Sequence, residues 1–370
     1  MDFKLTEERQ MLQDGMRRLL ADTVTHEGMI AASETPAGYD PALWQALTEM
    51  GVPGAMFAEE AGGFGGMGFD IMVVSEELGR AGAVVPLIES AILAGGILAD
   101  AGRSAEVEEI IAGRCFAFAH GEPASRYDLA HVETRAEKTA DGWRLAGAKA
   151  VVHHAPAADM LVVSARTSGD VDDEDGISLF LVPADTAEMR DYPLYGGGRA
   201  AEIRLDCTVA SDALLGEEGK AFALIERANA RGCAAQCAEA LGLMETIKTL
   251  TVDYLRQRRQ FGQPIGKFQA LQHRMADVLI EIEQARSAVI NLCGHLEASR
   301  AERELQVCAA KNLIGRAGKL VAEEAIQMHG GIGMTQEYAL GHFAKRLTMT
   351  DHRFGDTDYH LERFIRLSAR

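Results

Sequence analysis

Apolar residues recur at helical spacing toward both ends of this chain and at shorter, alternating spacing in its middle. Near the start they step by three and four residues, which predicts an amphipathic helix: Met11, Leu12, Met16, Leu19 and Leu20. A wider stripe in the last third predicts a longer helix with one buried face: Phe268, Leu271, Met275, Val278, Leu279 and Ile282. Both ends of the chain are therefore expected to be helical.

The middle of the chain has short apolar or alternating runs, separated by turn pairs such as Asp141-Gly142 and Ser168-Gly169. These runs predict strands of a small β-barrel or sandwich, and they lie at 116–120, 143–145, 160–163 and 177–182. Helices, then strands, then helices predict an α+β protein of three domains. The expected domains are an N-terminal helical domain at 1–113, a middle β domain at 114–217 and a C-terminal helical domain at 218–370.

Composition narrows the class of protein. A chain of 370 residues with 47% apolar residues is long enough for two or three buried cores. Its net charge of -18 argues against a nucleic-acid partner, because phosphates would repel such a surface. No run approaches the roughly 18 uninterrupted apolar residues of a membrane span, and the charged start shows no signal peptide, so we expect a cytoplasmic protein. The six cysteines lack the spacing of a zinc site, and no metal is expected.

Two segments in the last third carry the most specific signal: Arg258-Arg259-Gln260-Phe261-Gly262-Gln263-Pro264 and Gln327-Met328-His329-Gly330-Gly331. Either one alone could be a basic or glycine-rich turn. In this order they resemble the flavin-binding half of the acyl-CoA dehydrogenases, and further similar segments extend the resemblance over nearly the whole chain. It implies a helical N-terminal domain, a middle β-barrel and a C-terminal four-helix bundle.

The resemblance also implies an FAD that lies across a subunit boundary in a dimer or tetramer. Arg258 matches the arginine that reaches the neighbour's FAD pyrophosphate, where a planar guanidinium can pair with two phosphate oxygens. Phe261 would pack against the same cofactor. Gln327, Gly330 and Gly331 match a loop that lets backbone approach the ADP part, where a Cβ would intrude.

The residues that the resemblance assigns to this subunit's own flavin are altered. Gly121 stands where the family has threonine, and Arg126-Tyr127-Asp128 replaces Gly-Ser-Asp. Val151 and His153 stand where a tryptophan and a threonine line the flavin, while Thr357 keeps the family's residue. The residues that would contact a neighbour's FAD thus match the family, whereas most of those that would contact the subunit's own FAD differ from it.

Oxidation of a CoA thioester at Cα–Cβ needs a carboxylate within reach of the α-proton. Both positions at which the family carries this glutamate are glycine here. Alignment on Thr357 places Gly355 at the usual position, and counting back from Phe261 places Gly232 at that of a second branch. Asp356 is the remaining candidate base. Its alternative is a capping or surface role, because one helical step turns a side chain by about 100°.

Within the family, the segments around Tyr127, Glu202 and Gly355 look like the small subunit of pimeloyl-CoA dehydrogenase, which pairs with a related large subunit. We therefore expect an FAD-dependent acyl-CoA dehydrogenase subunit in a homo- or hetero-tetramer. The resemblance implies an acyl-CoA thioester substrate with a dicarboxylic or otherwise bulky acyl group, and an electron-transfer flavoprotein as acceptor. Two alternatives stay open: a non-catalytic subunit that lends FAD contacts to a partner dehydrogenase, and a flavin monooxygenase of the same fold.

Overall fold

The computed structural model describes residues 5–369, and its elements follow in the order helices, strands, helices. The first run contains a π-helical segment, Ile88–Ala94, between its fourth and fifth α-helices. The α-helices are α1 Glu7–Thr23, α2 His26–Glu34, α3 Pro41–Glu49, α4 Gly68–Ala81, α5 Gly95–Asp100 and α6 Ser104–Ile111. Capping fixes where α1 begins, because the Thr6 hydroxyl accepts the N–H of Arg9.

The middle run forms a sheet of eight strands in the order β6-β7-β3-β2-β4-β5-β8, with β1 parallel to β4. The strands are β1 Phe116–Ala119, β2 Arg135–Thr139, β3 Gly142–His153, β4 Met160–Arg166, β5 Ile177–Pro183, β6 Glu188–Pro193, β7 Arg199–Val209 and β8 Leu214–Leu215. Their inward side chains form one core that includes Leu145, Leu161 and Phe180. The register of β3 on β7 shifts between Lys149 and Val152, which marks a β-bulge.

The last run consists of long helices and one short hairpin. The helices are α7 Phe222–Gln257, α8 Gln269–Gly294, α9 Arg300–His329, α10 Leu340–Met349 and α11 Thr357–Ser368. Strands β9 Arg259–Gln260 and β10 Gln263–Pro264 form the hairpin between α7 and α8. Helix α9 packs against α8, α10 and α11. Within residues 5–369, no helix combines the length and apolarity needed to cross a membrane.

The chain divides into two compact units. The first unit contains the chain up to Met29, the segment Met67–Ala83 and everything from Cys233 on. The second unit contains Ile30–Gly66 and Val84–Gly232, and therefore the whole eight-stranded sheet. Helices of the first run contribute to both units, with α1 and α4 in the first and α3, α5 and α6 in the second.

Within the first unit, α4 and α7 cross so closely that only glycine fits at the contact. A Cβ on Gly79 would lie 2.1 Å from the carbonyl oxygen of Glu239, and a Cβ on Gly242 would lie 2.0 Å from that of Glu76. Both glycines lie inside helices, so the backbone conformation does not require them. Close packing of the two helix backbones explains them instead.

Buried carboxylates surround this crossing, and arginines neutralise them. Glu76 accepts hydrogen bonds from Arg80 at 2.6 Å and from Arg286 of α8 at 3.2 Å. Arg286 also donates to Glu245 of α7 at 2.8 Å. Because buried charges destabilise a fold unless they are paired, this network favours one arrangement of α4, α7 and α8.

The apolar stripes predicted from the sequence are buried only in part. In α8, the side chains of Met275, Val278 and Ile282 are buried as expected. The prediction was wrong for Leu279, which is 42% exposed. A helix turns by about 100° per residue, so Leu279 projects away from the face that Val278 buries.

We expect Gly242→Ala to destabilise the protein by about 1–2 kcal/mol. The added methyl group forces apart two packed helices, and this outweighs the gain of roughly 1 kcal/mol that alanine brings to a helix interior. Urea denaturation followed by circular dichroism measures the change. Gly331→Ala is the control, because a Cβ there meets no atom within 4 Å. Equal stability of the two variants would contradict the close crossing.

Candidate functional site

The hairpin between α7 and α8 holds a phenylalanine outward where such turns favour small residues. Its two-residue loop, Phe261-Gly262, has φ values of 52° and 79°, as in a type I′ turn, which favours Asn-Gly or Gly-Gly. A left-handed backbone costs a non-glycine residue roughly 1–2 kcal/mol. The Phe261 side chain is nevertheless 90% exposed, with its ring centroid 6.1 Å from that of Phe268. We infer that this side chain serves a bound molecule or another chain.

Two adjacent arginines at this hairpin have different surroundings. The Arg259 guanidinium donates to the carbonyl of Gly262 across the turn, at 3.2 Å. The Arg258 guanidinium is exposed and makes no hydrogen bond or ion pair with any residue of the described chain. Its backbone is fixed, since the N–H donates to Tyr254 and the carbonyl accepts from Ile265, both at 2.8 Å. An unpaired guanidinium on a fixed backbone suits an anionic ligand such as a pyrophosphate.

The glycines that end α9 leave open space at the surface. Gly330 has φ 67° and ψ -146°, a combination that glycine alone adopts readily. Gly331 has no such conformational need, and a Cβ on either glycine would meet no atom within 4 Å. Gln327 is exposed in the last turn of the helix. A ligand can therefore approach the backbone closely at this helix end.

An aromatic stack brings the hairpin and the end of α9 together. Tyr254, in the last turn of α7, stacks on His329 with ring centroids 4.4 Å apart. The Nδ1–H of His329 donates to Ala325 at 2.8 Å, and the Tyr338 hydroxyl lies 3.3 Å from its Nε2. Burial lowers the pKa of His329, which favours the neutral ring. Neither ring is predicted from the sequence to have a role; a histidine directly before two glycines was the available signal.

In the second unit, Gly121 and Val151 lie on neighbouring segments. The Gly121 carbonyl accepts the N–H of Ala150 at 2.8 Å. Val151 lies in the bulge of β3 with φ 53°, which is rare for a β-branched residue, and its side chain is half exposed. His153 ends the same strand, with Nδ1 3.9 Å from the Glu89 carboxylate. Glu89 belongs to the π-helical segment, a geometry that is frequent at functional sites.

A buried ion pair holds the segments that carry Gly121 and Val151. The Lys149 ammonium lies 2.7 Å from the Glu122 carboxylate, and it also donates to the His120 carbonyl at 3.2 Å. Burial lowers the pKa of Lys149 to about 8. Burial acts to raise the pKa of Glu122, but the charge of Lys149 lowers it overall. Both groups are therefore charged at neutral pH.

The loop before α11 is closed to a side chain at the expected base position. Gly355 is buried with φ 101°, and a Cβ there would lie 2.6 Å from Nε2 of His360. Asp356 begins α11, and its carboxylate accepts the N–H of Tyr359 at 2.8 Å as an N-cap. The carboxylate of the candidate base is thus engaged in capping the helix.

The remaining candidates near this loop contact the interior of the protein. The hydroxyl of Thr357 donates to Asp351 at 2.8 Å. Gly232 is buried within α7, and the thiol of Cys233, which follows it, lies 4.0 Å from the carbonyl oxygen of Phe354. Residues adjacent to the glycines at the two expected base positions are therefore close neighbours.

Unusual backbone conformations mark the same segments. In the described chain the non-glycine residues with positive φ are Arg126, Val151, His154, Phe261 and Phe354. Each one belongs to, or directly adjoins, a segment that the sequence analysis singled out. Such conformations cost on the order of 1–3 kcal/mol and are concentrated at functional sites. This coincidence supports the candidate residues of each unit as functional.

Three family models match consecutive parts of the chain. They are the acyl-CoA dehydrogenase N-terminal domain at 6–113, the middle domain at 117–206 and the C-terminal domain at 221–367. Acyl-CoA dehydrogenase IpdE2 from Mycolicibacterium smegmatis is 30% identical over 345 residues, which cover 92% of this chain and 93% of that protein. The chain belongs to the acyl-CoA dehydrogenase family.

Other members of the family match along their full length. The short-chain specific acyl-CoA dehydrogenase from Megasphaera elsdenii is 29% identical over 385 residues, covering 98% of each chain. A chain of the ChsE4–ChsE5 complex from Mycobacterium tuberculosis matches with a TM-score of 0.89 and 26% identity, over 100% of this chain and 99% of that one. The predicted order of helical, β and helical domains is confirmed, and FAD is the cofactor of this family.

The candidate residues of the first unit fit FAD. The unpaired guanidinium of Arg258 suits the pyrophosphate, and the outward ring of Phe261 offers an apolar contact. Gly330 and Gly331 leave open the space that a Cβ would narrow. In the second unit the fit is poorer, because Gly121 offers no hydroxyl where the family has threonine.

We expect Lys149→Met to lower stability by about 3–5 kcal/mol, because it leaves the Glu122 carboxylate buried without its counter-charge. Removing both charges in Glu122→Gln/Lys149→Met should be less harmful than the single change. Thermal denaturation of the three proteins tests this order. A double variant less stable than Lys149→Met would show that the hydrogen bonds of Glu122 matter more than its charge.

Proposed function

We propose that the chain is a subunit of an FAD-dependent acyl-CoA dehydrogenase that works with a related partner subunit. The enzyme would oxidise the Cα–Cβ bond of a CoA thioester, with an electron-transfer flavoprotein as acceptor. One asymmetry carries the proposal: Arg258 is unpaired and Phe261 is exposed, whereas Gly355 carries no carboxylate and a Cβ there would lie 2.6 Å from the buried His360 ring.

The chemistry explains why this asymmetry points to a partner. The reaction breaks two C–H bonds, and a positioned carboxylate that accepts the α-proton contributes roughly 10²–10⁴ in rate. Bound FAD supplies the hydride acceptor for the β-hydrogen. The residues at both base positions of this chain, Gly232 and Gly355, carry no side chain that accepts a proton. Efficient turnover therefore requires a carboxylate from another chain or another site.

We assign Asp356 a structural role in this proposal. Its carboxylate accepts the backbone N–H of Tyr359 and caps α11, and such a cap contributes about 1 kcal/mol. Use of the same carboxylate as a base would leave the helix uncapped. Thr357 is likewise engaged with Asp351 within the unit.

One similar structure and one sequence resemblance support a heteromer, and the resemblance suggests a substrate class. One similar solved structure is a complex of two differently named proteins, ChsE4 and ChsE5. Several segments also look like the small subunit of pimeloyl-CoA dehydrogenase. We therefore propose a partner from the same family and a dicarboxylic or otherwise bulky acyl group.

A second candidate function is supported by the poor fit of the second unit to FAD. In that account the chain is not catalytic and lends Arg258 and Phe261 to an FAD held by the partner. Flavin counting in the purified complex separates the two candidates. One FAD for each pair of chains indicates lending alone, whereas one FAD for each chain indicates a competent site here. Oxygen consumption driven by reduced nicotinamide would instead identify a monooxygenase.

We expect Arg258→Ala to weaken FAD binding by about tenfold or more, because charge-assisted hydrogen bonds contribute roughly 1.5–3 kcal/mol. Arg259→Ala is the matched control, since its guanidinium contacts the Gly262 carbonyl within the hairpin. Titration of the cofactor-free complex with FAD, followed by flavin fluorescence, gives both dissociation constants. Equal weakening in the two variants would contradict a specific role for Arg258.

We expect the chain purified alone to dehydrogenate saturated acyl-CoA thioesters about 10²–10⁴-fold more slowly than its complex with the partner, because it lacks a positioned base. Asp356→Asn keeps a good helix cap and should leave the residual rate unchanged. Reduction of an artificial electron acceptor measures both rates. Fast turnover by the isolated chain that disappears in Asp356→Asn would make Asp356 the base.

A further inference from the structure

A buried histidine occupies the side-chain space of Gly355. A Cβ on Gly355 would lie 2.6 Å from Nε2 of His360 and 2.5 Å from Cδ1 of Tyr359, both closer than real Cβ contacts. Tyr359 is only half buried, whereas His360 is fully buried. His360 is therefore the neighbour that a side chain at 355 cannot displace cheaply.

His360 also fixes the backbone of this loop. Its Nε2–H donates to the Phe354 carbonyl at 2.8 Å, and Phe354 has the unusual φ of 60°. The thiol of Cys233 lies 4.0 Å from the same carbonyl oxygen. Burial lowers the pKa of His360 to about 4, so the ring is neutral at pH 7 and the Nε2–H remains its donor to this carbonyl.

Space filling alone does not explain a histidine here. Its Nδ1 is buried and has no hydrogen-bond partner among the described residues, which is unfavourable relative to an apolar side chain of similar size. Leucine or phenylalanine would fill the space without this defect. The bond to Phe354 is what histidine adds, so holding the loop accounts for the residue.

We propose that His360 holds the base position of this chain closed, by filling the side-chain space of residue 355 and by fixing the Phe354 carbonyl. Loss of the base then depends on two residues, and replacing Gly355 alone cannot restore a base. The inference deepens the proposed function and rests on it, because the position matters only for that chemistry. His360 is a positioning residue, which acts through the loop.

A thermodynamic cycle on the full-length protein tests the closure without reference to catalysis. Gly355→Ala should lower Tm by about 5 °C or more, because the methyl group meets His360 and the backbone has positive φ. In the His360→Ala background the same change should lower Tm by less than half as much. Gly330→Ala is the matched control, since φ is positive there but no atom lies within 4 Å; its effect should be equal in both backgrounds.

Isotope exchange tests whether opening the position restores a base. The Gly355→Glu/His360→Ala variant is compared with Gly355→Gln/His360→Ala, which has the same shape but no basic carboxylate. Each is incubated in D₂O with straight-chain and dicarboxylic acyl-CoA thioesters, and deuterium at the α-carbon is measured by mass spectrometry. The glutamate double variant should exchange at least about 100-fold faster than the glutamine control and than Gly355→Glu alone.

The thermodynamic cycle and the isotope exchange together distinguish a failure of the His360 proposal from a failure of the proposed function. If Gly355→Ala is equally harmful with and without His360, or if Gly355→Glu alone exchanges as fast as the double variant, the closure proposal is wrong. If the cycle shows the expected coupling but no variant exchanges the α-proton, the closure stands. In that case the proposal that this loop faces an acyl-CoA is the one that fails.

Discussion

The close crossing of α4 and α7 is the constraint on which the first unit depends. With Gly79 and Gly242 at the contact, the helix backbones approach within the distance that a single methyl group would block. This proximity places Glu76 and Glu245 among arginines that pair with them, so packing and charge favour the same arrangement. Helix α7 leads directly into the Arg258 hairpin, and the position of that hairpin in the unit therefore follows from the crossing.

Strained backbone conformations in the described chain are confined to the candidate segments. All described non-glycine residues with positive φ fall at or beside candidate segments. The buried ion pair with Glu122 involves Lys149, which precedes Val151 by two residues in the same strand. A rigid and well-satisfied support of this kind allows Val151 to keep a conformation that an isolated strand would relax.

Motifs with local chemistry could be predicted from the sequence, but contacts between segments could not. The hairpin segment and the glycine pair were singled out because together, in this order, they resemble segments of the acyl-CoA dehydrogenases. Strands β2 and β6 were missed because their residues are mostly polar, and pairing with β3 and β7 holds them in the sheet. The stack of Tyr254 on His329 depends on tertiary packing, which residue spacing does not predict. The fit of His360 against Gly355 depends in addition on the positive φ of Gly355.

Phe261 and Arg258, which match the family's cofactor-binding residues, do not stabilise this chain by itself. An outward phenylalanine in a left-handed turn costs roughly 1–2 kcal/mol, a noticeable share of a net stability of about 5–15 kcal/mol. The unpaired Arg258 beside it gains nothing within the described chain. At Gly355, in contrast, a side chain would collide with the buried His360 ring, so a carboxylate there also requires a change at His360. The strain at Phe261 and the unpaired Arg258 bring no stabilising contact within the described chain. A cofactor on a neighbouring subunit would supply the favourable interaction that explains them.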